Sequence, residues 1–136
     1  MKIDLHSHSF YSDGVLSPSE VVKLASQAGC ELFSLTDHDT TEGSAEAKLE
    51  ADKLNLSLIN GVEISAFWRN MAIHILGLGI DINNDILQTG LEHNQKLRKE
   101  RAEKIALGLW RSGIKDALEK TQSFSKTDML TRTHFA

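Results

Sequence analysis

The alternation of strand-like and helix-like segments in the first half of the chain constrains the fold most. Residues 2–8 read as a strand, with Ile3 and Leu5 on one parity and Asp4, His6 and His8 on the other. Ser12-Asp13-Gly14 is a turn. Ser17-Pro18-Ser19-Glu20 then starts a helix: Ser17 caps it, Pro18 takes the first helical position, and Glu20 falls three residues after the cap. Val21, Val22, Leu24, Ala25 and Ala28 form its apolar stripe, and Gly29 ends it. Residues 31–36 are a second strand and 41–54 a second helix. Residues 56–59, 62–65 and 71–78 are further short, apolar, β-rich runs. This βαβα order predicts an α/β fold: a mainly parallel sheet with helices outside it.

The second half is built differently. Residues 83–110 contain no proline, and Ile86, Leu87, Leu91, Leu97, Ile105 and Leu109 recur at roughly helical spacing. Residues 115–122 and 127–130 read as shorter helices. The shift near residue 82 divides a strand-rich part, 1–82, from a helix-rich part, 83–136. A closed parallel barrel needs about 200–250 residues, and this chain has 136. It is therefore either a small open α/β domain or the first part of a larger barrel.

Composition narrows the function classes. A net charge of −4 argues against gripping duplex DNA through a broad basic face. One cysteine, Cys30, excludes an internal disulfide and a CxxC metal site, and it is read as a small buried residue. No apolar run approaches the roughly 18–20 residues of a membrane span. No secretory signal is visible after Met1, so the expected compartment is the cytoplasm, with no membrane partner.

The chemistry-bearing residues gather at strand ends. His6 and His8, two apart on a strand, point the same way and can reach one ion; alternatively they are two surface histidines. Asp13 is a turn aspartate or a ligand. His38, in Thr36-Asp37-His38-Asp39, follows the second strand, where parallel α/β folds keep their sites. Its flanking carboxylates suit a ligand whose tautomer is held by an aspartate behind it. Asp39 or Thr40 could equally cap the next helix. Glu63 is an acid inside an apolar strand, costly unless paired, metal-bound or at a wet edge. His74 is a core histidine or a ligand. His93, on the long helix, is read as surface. Four of the six histidines thus fall at successive strand ends with Asp13 and Glu63, which points to a site of mixed N and O ligands for more than one ion.

Taken together, the motifs resemble the PHP (polymerase and histidinol phosphatase) superfamily of metal-dependent phosphoesterases. They are Asp4-Leu5-His6-Ser7-His8, Ser12-Asp13-Gly14, Thr36-Asp37-His38-Asp39-Thr40, and Gly61-Val62-Glu63-Ile64-Ser65 followed by Ile73-His74-Ile75-Leu76-Gly77. Ile80-Asp81-Ile82, Arg98, Arg101 and Thr131-Arg132-x-His134-Phe135-Ala136 make the chain most similar to the ribonuclease AM type, a 5′→3′ exoribonuclease and 3′,5′-nucleoside bisphosphate phosphatase.

The resemblance implies a distorted TIM-like (β/α)7 barrel, with 1–82 its first part and 83–136 the start of a helical insertion. It implies two to three divalent ions, manganese first, with zinc, iron or magnesium as substitutes. His6, His8 and Glu63 would hold one ion. Glu63 would bridge to a second, also held by His74, and Asp13 and His38 would hold the third. Asp37 matches no ligand and is read as a support behind them. Arg132 and His134 would contact substrate phosphate. Arg101 would join them or remain a solvated helix charge beside Glu100 and Glu103.

The implied substrates are small nucleotides or the 5′ end of short RNA. The alternatives are a histidinol-phosphatase-like or polymerase-associated phosphoesterase, and an inactive metal-binding fragment. The family's later Ala-His-Pro and Asp-x-His motifs are absent. The chain is therefore expected to be the N-terminal part of a longer protein, weakly active alone and able to self-associate through an open sheet edge.

Overall fold

The computed structural model describes residues 1–69 and 71–136. Its elements are β1 (Ile3–Asp4), α1 (Pro18–Gln27), β2 (Leu32–Phe33), α2 (Ser44–Lys53), β3 (Ser57–Leu58), β4 (Gly61–Trp68), β5 (Met71–Leu78), α3 (Asp85–Arg111), α4 (Ala117–Phe124) and α5 (Arg132–Phe135). The fold is mixed α/β, as the alternation predicts.

Helix α1 begins where the capping signal lies. Ser17 Oγ accepts from the Glu20 amide, and the Glu20 carboxylate accepts from the Ser17 amide at 2.8 Å. Gly29 takes a φ of 79° just beyond the helix, a left-handed conformation that costs glycine little. Helices α1 and α2 lie side by side against the parallel sheet β1-β2-β3. Val22, Phe33, Leu35, Ala47, Ala51, Leu56 and the buried Cys30 form the core between them. Burying these side chains drives this half of the fold.

The first two strands are shorter than the sequence suggests, and side-chain bonds explain it. The ladder runs through Ser34 N to Asp4 O and resumes at Thr36 N to Ser7 O. Between these points the His6 amide donates to Asp4 Oδ1 and the Ser7 amide to Thr36 Oγ1. Polar side chains thus replace ladder partners, and His6 and His8 lie beyond the strand rather than on it.

The mainly parallel sheet needs correction. β4 and β5 pair antiparallel along their whole length, from Gly61 opposite Leu78 to Trp68 opposite Met71. A parallel bridge, His38 with Glu63, joins this hairpin to the segment after β2. There the Glu63 amide donates to Asp37 O and the Asp39 amide to Glu63 O. β5 leaves Met71, Ile73, Ile75, Leu76 and Leu78 exposed.

Two further expectations change. α2 starts at Ser44 with Gly43 as its cap residue, so neither Asp39 nor Thr40 caps it. Residues 127–130 are not helical. Ser125 Oγ bonds the carbonyls of Thr127 and Met129, a local alternative to helical bonding. The long helix is present as α3, capped by Asn84 Oδ1 on the Leu87 amide. Among the described residues, no helix is long and apolar enough to cross a membrane.

Candidate metal centre

Five segments deliver the six candidate ligands. His6 and His8 come from the loop after β1, Asp13 from the turn beyond it, His38 from the stretch after β2, Glu63 from β4 and His74 from β5. The hairpin register explains the last two. His74 lies opposite Ser65, two residues from Glu63, so both side chains share one face.

Glu63 is the hub, with only 4% of its surface exposed. Its Oε2 lies 2.8 Å from His6 Nε2, 3.1 Å from His8 Nε2 and 3.5 Å from His38 Nδ1. Its Oε1 lies 2.7 Å from His74 Nδ1. Asp13 forms the second acidic pole, 3.6 Å from His8 Nδ1 and 3.7 Å from His38 Nε2. Ligand atoms within 4.8 Å of one another fall into three sets: His6, His8 and Glu63; His8, Asp13 and His38; His38, Glu63 and His74.

A structural observation fits divalent cations to these residues. His38 Nδ1 is buried and makes no hydrogen bond. Buried polar atoms are ordinarily satisfied, and an imidazole nitrogen 3.5 Å from the Glu63 carboxylate without a hydrogen bond to it can be satisfied by a cation the two share. Imidazole and carboxylate together suit manganese, iron or zinc. Burial pushes the His38 imidazole down to about 4, with Arg98 adding to the effect and Glu63 and Asp13 opposing it. His38 is therefore neutral at neutral pH, the form that ligates. Burial alone would raise the Glu63 carboxyl, but the hydrogen bond with His6 and the nearby imidazoles hold it below its usual range.

The Asp37 carboxylate bonds none of the candidate ligand side chains directly. It accepts from the Ser9 amide at 2.7 Å, Ser9 Oγ at 2.6 Å and Ser12 Oγ at 2.7 Å. Ser12 Oγ in turn lies 3.3 Å from His8 Nδ1. Asp37 thus reaches His8 through Ser12, and neither flanking aspartate bonds the His38 ring as its sequence neighbourhood suggests. One turns into the 9–12 loop and the other toward α3.

Gly14 closes that loop so tightly that a Cβ there would lie 2.4 Å from the His8 carbonyl oxygen. Gly14→Ala is expected to displace the His8 backbone and destabilise the protein by about 1–3 kcal/mol. Urea unfolding measures the loss, and a variant as stable as the parent would contradict the tight approach.

Arg101 and Arg132 line a pocket of about 120 Å³ together with Asp13, His38 and His74. Arg101 is only partly exposed; burial and the charges of Arg98 and Arg132 lower its pKa. A solvated helix charge does not describe it. His134 lies apart from this pocket. Its Nδ1 accepts from the Thr131 amide at 3.0 Å, and its ring faces an adjoining pocket with Phe10 and Phe124. Burial lowers the His134 pKa, against the pull of Asp13. His93 is exposed on α3.

Sequence reasoning misses the buried pair of Asp39 with Arg98, although Arg98 sits seven residues after Leu91 on the buried face of α3. A charge on a core-facing stripe is the available signal.

The PHP domain family model matches residues 4–123. The 3′,5′-nucleoside bisphosphate phosphatase of Chromobacterium violaceum is 41% identical over 135 residues, covering 98% of this chain and 47% of its own. The 5′-3′ exoribonuclease Rnm of Escherichia coli is 42% identical over 135 residues, covering 98% and 46%. A solved amidohydrolase from Chromobacterium violaceum, with bound sulfate and no metal, superposes with a TM-score of 0.95 at 40% identity, over 99% of this chain and 48% of its own. The chain spans about half the length of the curated relatives it matches. With all six candidate ligands and the whole of α3 inside the matched region, the chain belongs to the PHP domain family.

Proposed function

We propose that the protein carrying this chain hydrolyses phosphate esters of nucleotides or of 5′-phosphorylated short RNA, as a 3′,5′-nucleoside bisphosphate phosphatase and 5′→3′ exoribonuclease. The observation that carries the proposal is the convergence of four imidazoles on Glu63 and Asp13 beside a pocket lined by three arginines, Arg98, Arg101 and Arg132. His6, His8, Asp13, His38, Glu63 and His74 would hold two to three divalent cations, manganese first. Such ions lower the pKa of bound water and offset charge on phosphoryl oxygens.

The chain's own residues supply the rest. Glu63 and Asp13 offset cationic charge and set the spacing of the imidazoles around them. Burial keeps His38 unprotonated at neutral pH, so it need lose no proton to ligate. Arg101 and Arg132 offer fork-shaped donors that can bind a terminal phosphate bidentately and orient it. Reading one charged end needs no basic face along the strand, which reconciles an RNA or nucleotide substrate with a net charge of −4. In this reading 1–82 form the first part of the barrel and 83–136 begin the insertion that brings the arginines over it. The exposed apolar face of β5 supports self-association there.

The test is phosphate release from adenosine 3′,5′-bisphosphate and from histidinol phosphate, with Mn²⁺ and after chelation. Mn²⁺-dependent release from the bisphosphate, at least about tenfold faster than from histidinol phosphate, is expected; a tenfold preference needs only about 1.4 kcal/mol of added transition-state binding. Preference for histidinol phosphate, or release indifferent to chelation, would overturn the assignment.

A further inference from the structure

Asp39 follows the candidate ligand His38, is fully buried (0% exposed), and has a φ of 52°. A non-glycine residue in this left-handed region needs support from its surroundings. The support is complete. Asp39 Oδ1 accepts from the Ser65 amide at 2.8 Å and from Asn94 Nδ2 at 2.9 Å. Its Oδ2 accepts from Arg98 Nε, and its carbonyl from Gln95 Nε2 at 2.8 Å. Its own amide donates to the Glu63 carbonyl at 2.9 Å. Arg98, 5% exposed, also donates through Nη2 to Ser65 Oγ at 2.6 Å, and Asn94 donates to Ser65 O at 2.9 Å.

The connections have a direction. One end of the network holds the Glu63 carbonyl, Ser65 two residues on, and the residue after His38. The other end is a single turn of α3, one turn before Arg101. None of these bonds reaches a candidate ligand side chain. A buried ion pair of this kind is a weak contributor to net stability compared with apolar packing, and Asp39 caps no helix. Its geometric effect is to hold three elements in one register.

We infer that Asp39 and Arg98 are positioning residues that lock α3 onto the His38 and Glu63 segments, setting the spacing of the cation ligands and of Arg101 beside them. This rests on the proposed reading of those ligands.

The test uses the full-length protein and the variants Asp39→Asn, Arg98→Lys and Asn94→Ala, with Mn²⁺ binding by calorimetry, thermal melts, and kcat and KM on adenosine 3′,5′-bisphosphate. Asp39→Asn is expected to weaken Mn²⁺ binding by about tenfold or more, the usual effect of losing a partner behind metal ligands. Arg98→Lys is expected not to preserve affinity, because an ammonium cannot bridge Asp39 and Ser65 as a fork does. The double variant should be no worse than the poorer single one, as for members of one network.

Asn94→Ala removes the side-chain amide with its two hydrogen bonds and leaves the ion pair. It is expected to stay folded and lose at least about 2- to 10-fold in affinity, the scale of one or two hydrogen bonds. Wild-type Mn²⁺ affinity with unchanged kcat and KM in Asn94→Ala, and in whichever other variants fold, would overturn the inference alone. A wild-type protein that binds no Mn²⁺ would overturn the reading of the ligands and this inference with it.

Discussion

Glu63→Gln is expected to lower Mn²⁺-supported phosphate release by at least about 100-fold, since even partners behind a metal ligand cost 10–100-fold when removed. The substitution keeps the shape of the side chain but removes its charge. In the structure the carboxylate faces His6, His8 and His38 with one oxygen and His74 with the other. No other acid touches all of these rings among the described residues; Asp13 reaches only His8 and His38. A neutral amide leaves two of the three ligand sets without their only carboxylate. The measurement is kcat with Mn²⁺ and, separately, the number of ions retained after dialysis. Far-UV circular dichroism should match the parent, because Gln fills the same volume. Release within a few-fold of wild type at full metal occupancy would count against Glu63 as the hub.

Arg98→Ala is expected to destabilise the protein by about 3–5 kcal/mol, the cost of leaving a buried charge without its partner. For a chain of this size that corresponds to a fall in Tm on the order of 10 °C. The effect should depend on pH with a definite sign. Burial raises the Asp39 carboxyl, but the Ser65 amide and Arg98 outweigh it and hold the group below the ordinary aspartate range. In the parent, this contribution is present above about pH 4, the ordinary aspartate pKa, and fades as pH falls through the lower folded value. In the variant, burial keeps the opposition of Ser65 but loses that of Arg98, and the folded carboxyl rises relative to the parent. The parent then gains more stability than the variant as pH rises through the carboxyl range. The gap between parent and variant should therefore widen from acidic to neutral pH. Unfolding curves across that range decide the matter; a gap independent of pH would mean that Asp39 is not the charge left behind.

The two substitutions separate what local sequence can and cannot reveal. The position of Glu63 inside an apolar run draws attention to it, because an acid there needs a partner or a wet edge, and the set of histidines and Asp13 at the other strand ends supplies the weight. Arg98 is harder to read. A basic residue within a charged helix looks solvated until the helix packs, and its partner Asp39 lies 59 positions away. The same contrast holds for the strands. The run at 62–65 and that at 71–78 are visible as β-rich, but their antiparallel pairing is a property of two segments together. The extension of β4 to Trp68 leaves two residues before Met71, too few for a parallel crossover. Read only as far as Ser65, the same stretch leaves five residues, still too few for such a crossover, and what neither run decides alone is whether the two pair at all.

Residue identity and spacing along the chain were enough to mark the capping box at Ser17, the long helix after residue 84, and six potential ligands near strand ends. These are local features, set by backbone periodicity and by the cost of burying polar groups. Tertiary structure decided the antiparallel hairpin, the hub role of Glu63, the route from Asp37 to His8 through Ser12, and the hold of α3 on Asp39. Each of these depends on distance between residues far apart in the chain, and such distances exist only once apolar packing has brought the segments together.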